Sequence, residues 1–356
     1  MSDLLEYKCP CCGGAVEFNS TVQRMKCPFC DTEFDIDELK AAQESLGNTE
    51  SEKETEAKSV DEATGMAVYA CQSCGGEIIG DGTTAASSCP YCGNPVVMKG
   101  QFSGELRPDL VIPFKLDKKA AKEALKKHIS TKKFIPKIFK DENHIDEIKG
   151  VYVPEWLFSA DVDADVMYKG QKIREWSDSK FDYVETSDYD LFRSGKFSVD
   201  SLPVDGSSKM DDTLMEAVEP FDVKDAVEFS TAYLAGYVAD RYDVDSEQSK
   251  ARAEERVTQS AFDTFMKSTK DYDNVSGVED RTKVELNNLS CRYALYPVWL
   301  LNTSWKGEKF TFAMNGQTGK IVGDLPLDKN AFWKSVGILT AILGSAIYAI
   351  AWLIAR

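Results

Sequence analysis

Cys9-Pro10-Cys11-Cys12-Gly13-Gly14, answered by Cys27-Pro28-Phe29-Cys30, sets the reading of the N-terminal region. Each Cys-x-x-Cys loop turns two thiolates toward one point, and two loops complete a tetrahedral four-sulfur shell. The arrangement returns 62 residues later as Cys71, Cys74, Cys89 and Cys92. Gly13-Gly14, Val16, Thr21, Pro28 and Phe29 recur at the same offset as Gly75-Gly76, Ile78, Thr83, Pro90 and Tyr91. So many matches at one spacing mark an internal duplication. The paired loops are separated by 14 residues in each unit, one short of the usual zinc-site spacing but suited to a small hairpin.

The eight cysteines are therefore expected to hold two structural Zn²⁺ ions. Four thiolates per ion leave no coordination position open for catalysis. Disulfides and rubredoxin-like iron are the alternatives, because ligand spacing separates iron from zinc poorly. Units with so few apolar residues draw much of their folding energy from the metal. The glycines after the first loop suit backbone turned closely around sulfur, where a positive φ is cheap. Cys11 and Cys291 complete the ten cysteines. Cys11 reads as a spare thiol beside the knuckle, with a redox sensor as the alternative.

Outward from these units, the 356 residues carry 42 Lys plus Arg against 59 Asp plus Glu, a formal charge of -17. A field this acidic repels polyanions and argues against nucleic acid as the main partner. The only histidines are His128 and His144, which thins the options for general-base chemistry. No basic and apolar leader precedes the first cysteine, so no cleaved signal peptide is expected. Residues 40–65 hold seven acidic and three basic residues and almost nothing apolar after Leu46, the pattern of a flexible tether. The expected organisation is a first zinc ribbon over residues 1–39 and an acidic linker over 40–66. A second ribbon follows over 67–99, then an α+β body over 100–328 and a transmembrane helix over 335–355. On such a tether the two ribbons are expected to sit apart.

In the body, Leu110-Val111-Ile112-Pro113-Phe114 reads as a strand, and Asp117 caps a helix running to about residue 129. His128 falls on the edge of that helix's apolar face as a packing residue. His144 lies in a polar turn with no ligand at metal spacing. Residues 246–269 show helical periodicity with Ser246 as the cap. Tyr152-Val153-Pro154-Glu155-Trp156-Leu157-Phe158 is echoed by Leu295-Tyr296-Pro297-Val298-Trp299-Leu300-Leu301, each preceded by a helical segment. The echo points to a second, more diverged duplication within the body. Asn315-Gly316 marks a hairpin rather than a phosphate loop. Asp161, Asp163 and Asp165 alternate with Val162, Ala164 and Val166. That fits a strand with one solvated face, because the Gly and Glu of a calcium loop are replaced by Val166 and Lys172. Residues 159–222 hold 16 acids against 7 bases. No nucleophile-elbow, zincin, Walker or dinucleotide motif occurs, and the chain reads as no enzyme.

Residues 335–355 are 21 residues without a charge. At ~1.5 Å per residue they span about 31 Å, the thickness of a bilayer core. Trp333 and Trp352 stand where indoles reach the two interfaces, and Lys329, Lys334 and Arg356 flank the span. The positive-inside rule and reduced cysteines place the N-terminal mass in the cytoplasm of a single-pass protein of the cell membrane. Gly337, Ala341, Ser345 and Ala349 form a small-residue stripe that would let two such helices pair as a homo-oligomer.

The paired Cys-x-x-Cys units resemble TFIIB-type zinc ribbons. With Pro203-Val204-Asp205, Glu219-Pro220-Phe221-Asp222, Tyr233-Leu234-Ala235-Gly236, Tyr242-Asp243-Val244-Asp245, Tyr296-Pro297-Val298-Trp299 and Asn315-Gly316-Gln317-Thr318-Gly319-Lys320, the chain resembles a bacterial family of double zinc-ribbon membrane proteins over nearly its whole length. Members are often labelled replication-restart-helicase-like, a label that the missing Walker motif and basic field do not support. The resemblance implies Zn²⁺ at the eight cysteines and protein partners of the phage-shock or stomatin/flotillin type. The resulting expectation is an anchored, cytoplasm-facing adaptor in an envelope-stress complex. A membrane-tethered nucleic-acid-binding protein and a cryptic membrane enzyme are the alternatives.

Overall fold

A computed structural model describes residues 4–45, 60–61, 66–70, 77–81, 83–89, 94–98, 106–140, 145, 147–323 and 325–354. The chain is a mixed α+β protein with a cysteine cluster near its N-terminus and an apolar helix near its C-terminus. His144, Arg356 and most of the 40–66 linker lie outside the described residues.

After β1 (Leu4–Leu5), three short strands, β2 (Glu17–Asn19), β3 (Arg24–Lys26) and β4 (Glu33–Phe34), form an antiparallel sheet that leads into α1 (Ile36–Ser45). A second small antiparallel sheet contains β5 (Val60–Asp61), β6 (Met66–Ala70) and β7 (Glu77–Asp81). β8 (Thr84–Ser88) and β9 (Pro95–Met98) follow as a hairpin.

In the body, β10 (Leu110–Val111) is shorter than the expected 110–114 strand. Pro113 has no N–H to give to a ladder, which stops the pairing. α2 (Lys118–Ser130) starts where Asp117 accepts the Ala120 N–H at 2.7 Å, and it buries Ala121, Leu125 and Ile129. His128 sits half-buried at the edge of that face. Two long strands, β11 (Lys149–Ser177) and β12 (Asp182–Asp205), then make a hairpin. Along it Val162, Ala164, Val166 and Tyr168 are buried, while Asp161, Asp163 and Asp165 bond on the other face to Ser198, Lys196 and Ser194.

The helix over the buried face comes later in the chain. α3 (Asp212–Val218), β13 (Val227–Glu228) and β14 (Val238–Asp240) precede α4 (Ser246–Met266), which packs Val257, Ala261 and Phe262 onto the hairpin. The cap of α4 is Asp245, one residue before the expected Ser246. Asp245 accepts the Gln248 N–H at 2.8 Å, and Gln248 accepts the Asp245 N–H at 3.2 Å. This reciprocal box satisfies two N–H groups, which a lone serine would not. β15 (Asn274–Gly277), β16 (Lys283–Trp305), β17 (Glu308–Asn315) and β18 (Ile321–Gly323) complete the strands.

The large sheet runs β1-β9-β8-β14-β11-β16-β10-β13, with β12 and β15 also paired to β11 and β17 to β16. At its centre β11 and β16 are antiparallel, and Tyr152 stands opposite Pro297, so the two Pro-x-Trp motifs lie side by side. Leu110 pairs in parallel with Ala294, and Val238 pairs in parallel with Val151. The two outer strands thus pair at matching places of the echo, since Val151 and Ala294 are separated by the same 143 residues as the two Pro-x-Trp motifs. Beneath the motifs Phe114 stacks on Tyr237 (4.2 Å, 5°) and meets Trp299 edge-on. Gly316 is required here, because a Cβ would stand 2.6 Å from the Phe114 ring and 2.8 Å from the Pro297 carbonyl.

Beyond α4 the hairpin continues as an arm exposed on both faces. Trp176 stacks on Tyr183 at 5.4 Å, Arg174 lies over Trp176, and Lys172 lies over Tyr272. The cross-strand Trp176–Tyr183 pair stiffens the two-stranded ribbon.

α5 (Lys329–Ile354) begins six residues before the expected span, where Asp328 accepts the Asn330 and Ala331 N–H groups at 3.1 Å. Its stretch Lys329–Trp352 is long and apolar enough to cross a membrane, and none of that stretch is buried against the described residues. It leaves the body beside Phe134, whose ring meets Phe332 at 5.5 Å.

The two cysteine units do not sit apart as expected: the first pairs with β9 of the second and shares one core with the body. Leu4 and Leu5 pair with Met98 and Val97, and the Phe18 N–H donates to Ala235 O at 3.0 Å. Phe18 packs edge-on against Tyr233 at 5.1 Å, and Gln23 Nε2 donates to Phe114 O at 2.8 Å. Tyr7, Val16, Phe18, Met25 and Leu39 share one core with Phe114, Tyr152 and Trp299.

Candidate metal centre

Cys9 and Cys12 lie in the loop between β1 and β2, and Cys27 and Cys30 in the loop between β3 and β4. Backbone bonds fold each loop into a knuckle. The Gly13 N–H donates to Cys9 O at 2.8 Å and the Cys9 N–H to Gly14 O at 2.7 Å. In the partner loop the Asp31 N–H donates to Cys27 O, and the Cys27 N–H to Thr32 O, both at 2.9 Å. Gly13 has φ +75°, the left-handed region where glycine carries no penalty. Gly14 is needed for space, since a Cβ would meet the Phe29 ring at 2.5 Å.

The four Sγ atoms all lie within 4.8 Å of one another. Cys9 and Cys30 are 3.6 Å apart, and Cys12 and Cys27 are 3.5 Å apart. Metal–sulfur bonds of about 2.3 Å in a tetrahedron give sulfur–sulfur edges of about 3.8 Å. The cluster therefore fits a four-thiolate ion. Disulfide spacing, about 2.05 Å, is excluded for these pairs, and all four thiols are free. Cys9 and Cys27 are buried, and Cys12 and Cys30 are exposed.

Without metal the protons are unevenly shared. Cys30 is drawn down to about 6, first by the Thr32 hydroxyl and then by the Thr32 N–H. At Cys12 a bond from the Gly14 N–H pulls down, but bonds with Cys27 and Cys30 outweigh it and push the thiol up to about 12. A bound cation must displace those protons, so its affinity falls as pH drops. Lys26 bridges Asp31 at 3.1 Å beside the second knuckle and offsets part of the charge.

Of the second predicted shell, Cys71, Cys74 and Cys92 lie outside the described residues. Cys89 is buried, and its N–H donates to Asn94 O at 2.8 Å. This bond is the counterpart of Cys27 to Thr32. The strand register repeats as well: Met25 opposite Phe34 and Lys26 opposite Glu33 correspond to Ser87 opposite Val96 and Ser88 opposite Pro95. Cys11 is exposed and outside the cluster, and Cys291 stands alone on β16. The residues that dock the first unit, Tyr7, Phe18 and Tyr233, carry no spacing signal in the sequence. Only the apolar Tyr233-Leu234-Ala235-Gly236 run hints at them.

The chain is similar to the uncharacterized protein YdjG of Bacillus subtilis, at 31% identity over 335 residues, covering 93% of this chain and 94% of the relative. No protein-family model matches the chain. No solved structure matches it.

Proposed function

The chain belongs to the family of the Bacillus subtilis protein YdjG, and from that premise we propose that it is a membrane-anchored zinc-ribbon adaptor that recruits partner proteins. One observation carries this reading: a closed four-sulfur shell is built into the same body from which a bare apolar helix departs. A closed shell offers structure rather than chemistry, and an uncovered helix of 26 residues calls for lipid.

In this reading Cys9, Cys12, Cys27 and Cys30 hold one Zn²⁺, and Cys71, Cys74, Cys89 and Cys92 hold a second. The matching bonds at Cys27 and Cys89 support the repeat. The matching places of the Leu110–Ala294 and Val238–Val151 pairings likewise support a duplicated body. Lys329 and Lys334 face the cytoplasm, and the acidic body is repelled by an anionic inner leaflet, so attachment rests on α5. The arm beyond α4 and the second ribbon are then the surfaces left to meet protein partners, for which phage-shock-type and stomatin/flotillin-type proteins are the candidates.

Cross-linking in native membranes tests the reading, comparing wild type with a Cys27→Ser/Cys89→Ser double variant. The tryptic pattern of the 149–323 region serves as the folding control. Defined partners captured by wild type should be lost from the double variant while the body stays protease-resistant. Identical partner sets with and without the cysteines would sink the proposal.

A further inference from the structure

Among the described residues, the most unusual chemistry outside the cysteines lies where the root of the hairpin meets α3 and α4. Glu155 interrupts the apolar run of β11, is only 4% exposed, and stands directly opposite Asp205 on β12. Tyr296 of β16 shares that sheet face. α3 brings Asp212 and Glu216 over the pair, the following segment brings Glu219, and α4 brings Arg252 and Arg256. Together they enclose a void of about 10 Å³, about the space of a single water.

The two guanidinium groups are already committed. Arg256 grips Glu219 through two bonds of 2.7 and 3.0 Å, and Arg252 meets Glu216 at 2.6 Å. Glu155, Asp205 and Asp212 are left without a cation of their own among the described residues. Asp205 Oδ1 takes the Ser207 N–H at 2.9 Å, while its buried Oδ2 has no partner. The buried Tyr296 hydroxyl is unpartnered too. The remaining charges nearby are Asp243, which faces Asp205, Lys320, which faces Glu219, and Arg292, which faces Tyr296.

Two facing carboxylates in such a place cannot both ionise cheaply. Burial first, then Asp205 and Glu219, hold the Glu155 carboxyl well above the usual carboxylate range. Burial pushes Asp205 up to about 7 against the pull of the Ser207 N–H. The far side of this segment is pinned by the 315–320 turn. Asn315 Nδ2 donates to Val218 O and Pro220 O at 3.1 and 3.0 Å, and the Asp222 N–H donates to Gln317 Oε1 at 2.7 Å.

We propose that Glu155 and Asp205 share one proton at neutral pH and form a pH-sensitive latch at the root of the arm. When both ionise, their repulsion loosens the seam between β11, β12 and α3. An unfolded aspartate loses its proton near pH ~3.9. The folded chain therefore holds more protons than the unfolded chain between that pH and about 7, and beyond it through Glu155. Stability from this pair is accordingly lost as pH rises through that window.

The test uses the full-length protein in detergent. Thermal midpoints at pH 6 and pH 8.5 are measured for wild type, Glu155→Gln and Asp205→Asn, with the infrared band of protonated carboxyl groups recorded at pH 7. Wild type should lose several degrees between the two pH values. Asp205→Asn should flatten that dependence and melt higher at pH 8.5. The protonated-carboxyl band should shrink in Glu155→Gln. A flat wild-type profile with no such band overturns the proposal. So does stabilisation at pH 8.5 by millimolar Mg²⁺ or Ca²⁺ that Asp205→Asn abolishes, because the seam would then hold a cation instead. If the variants fail to fold, the wild-type midpoints decide: no loss between pH 6 and pH 8.5 overturns the proposal.

Discussion

On the zinc-ribbon proposal, Cys27→Ser should lower the zinc content by one ion per chain and unfold the first cysteine unit. Cys27 is fully buried, and its sulfur stands 3.5 Å from Cys12, so a hydroxyl there removes one corner of the tetrahedron from inside the unit. Structural zinc supplies about 10–16 kcal/mol of apparent folding energy in small cysteine-rich units. The unit's own apolar side chains, chiefly Val16, Phe18, Met25 and Leu39, contribute about 1.5–3 kcal/mol each before the chain entropy is subtracted. A metal held by this shell would therefore decide whether the unit folds. The contacts of Phe18 with Tyr233 and of Leu4 with Met98 are lost with the unit, while the 149–323 region keeps its own core. Elemental analysis together with limited proteolysis reads both effects. Cys11→Ser, at an exposed position outside the cluster, is the control and should change neither. Equal zinc in Cys27→Ser and wild type would remove Cys27 from the shell.

If α5 spans a membrane, Leu343→Arg, near the middle of the helix, should release the protein from membranes. Leu343 is 53% exposed in the isolated chain and faces no described partner. Placing arginine at the centre of a spanning helix costs about 2.5–3.5 kcal/mol, and losing leucine adds roughly 0.5. The combined cost is on the order of a 100-fold or greater shift in insertion. Leu343→Ala keeps the span apolar and should remain inserted. Washing membranes with alkaline carbonate separates the outcomes: Leu343→Arg in the supernatant, wild type and Leu343→Ala in the pellet. All three in the supernatant would show that α5 is not a membrane span.

Local chemistry was legible in the sequence wherever it depends on neighbours. The Cys-x-x-Cys spacing identified the four sulfurs that converge, because each knuckle closes over a few residues. The Asp117 cap, the alternation of Asp161, Asp163 and Asp165 with buried partners, and the Asn315-Gly316 turn are all short-range features. Two local readings slipped by a small margin where a stronger competitor stood adjacent. Asp245 outdid Ser246 because Gln248 completed its box, and Pro113 shortened β10.

Long-range contacts left no periodicity to read. The pairing of Leu5 with Val97 and the packing of Phe18 on Tyr233 join residues far apart in the chain, so the two cysteine units were expected to sit apart. Glu155 was visible as a lone acid in an apolar strand. Its partners Asp205 and Glu219 appeared only as separate short motifs, and only the fold brings them together.

Elemental analysis of the full-length protein, solubilised from membranes and purified without added metal, tests the central claim of metal-built units in a membrane-anchored chain most directly. Two zinc ions per chain are predicted, both retained through gel filtration in detergent. A chain containing no zinc, or holding iron in its place, would contradict it.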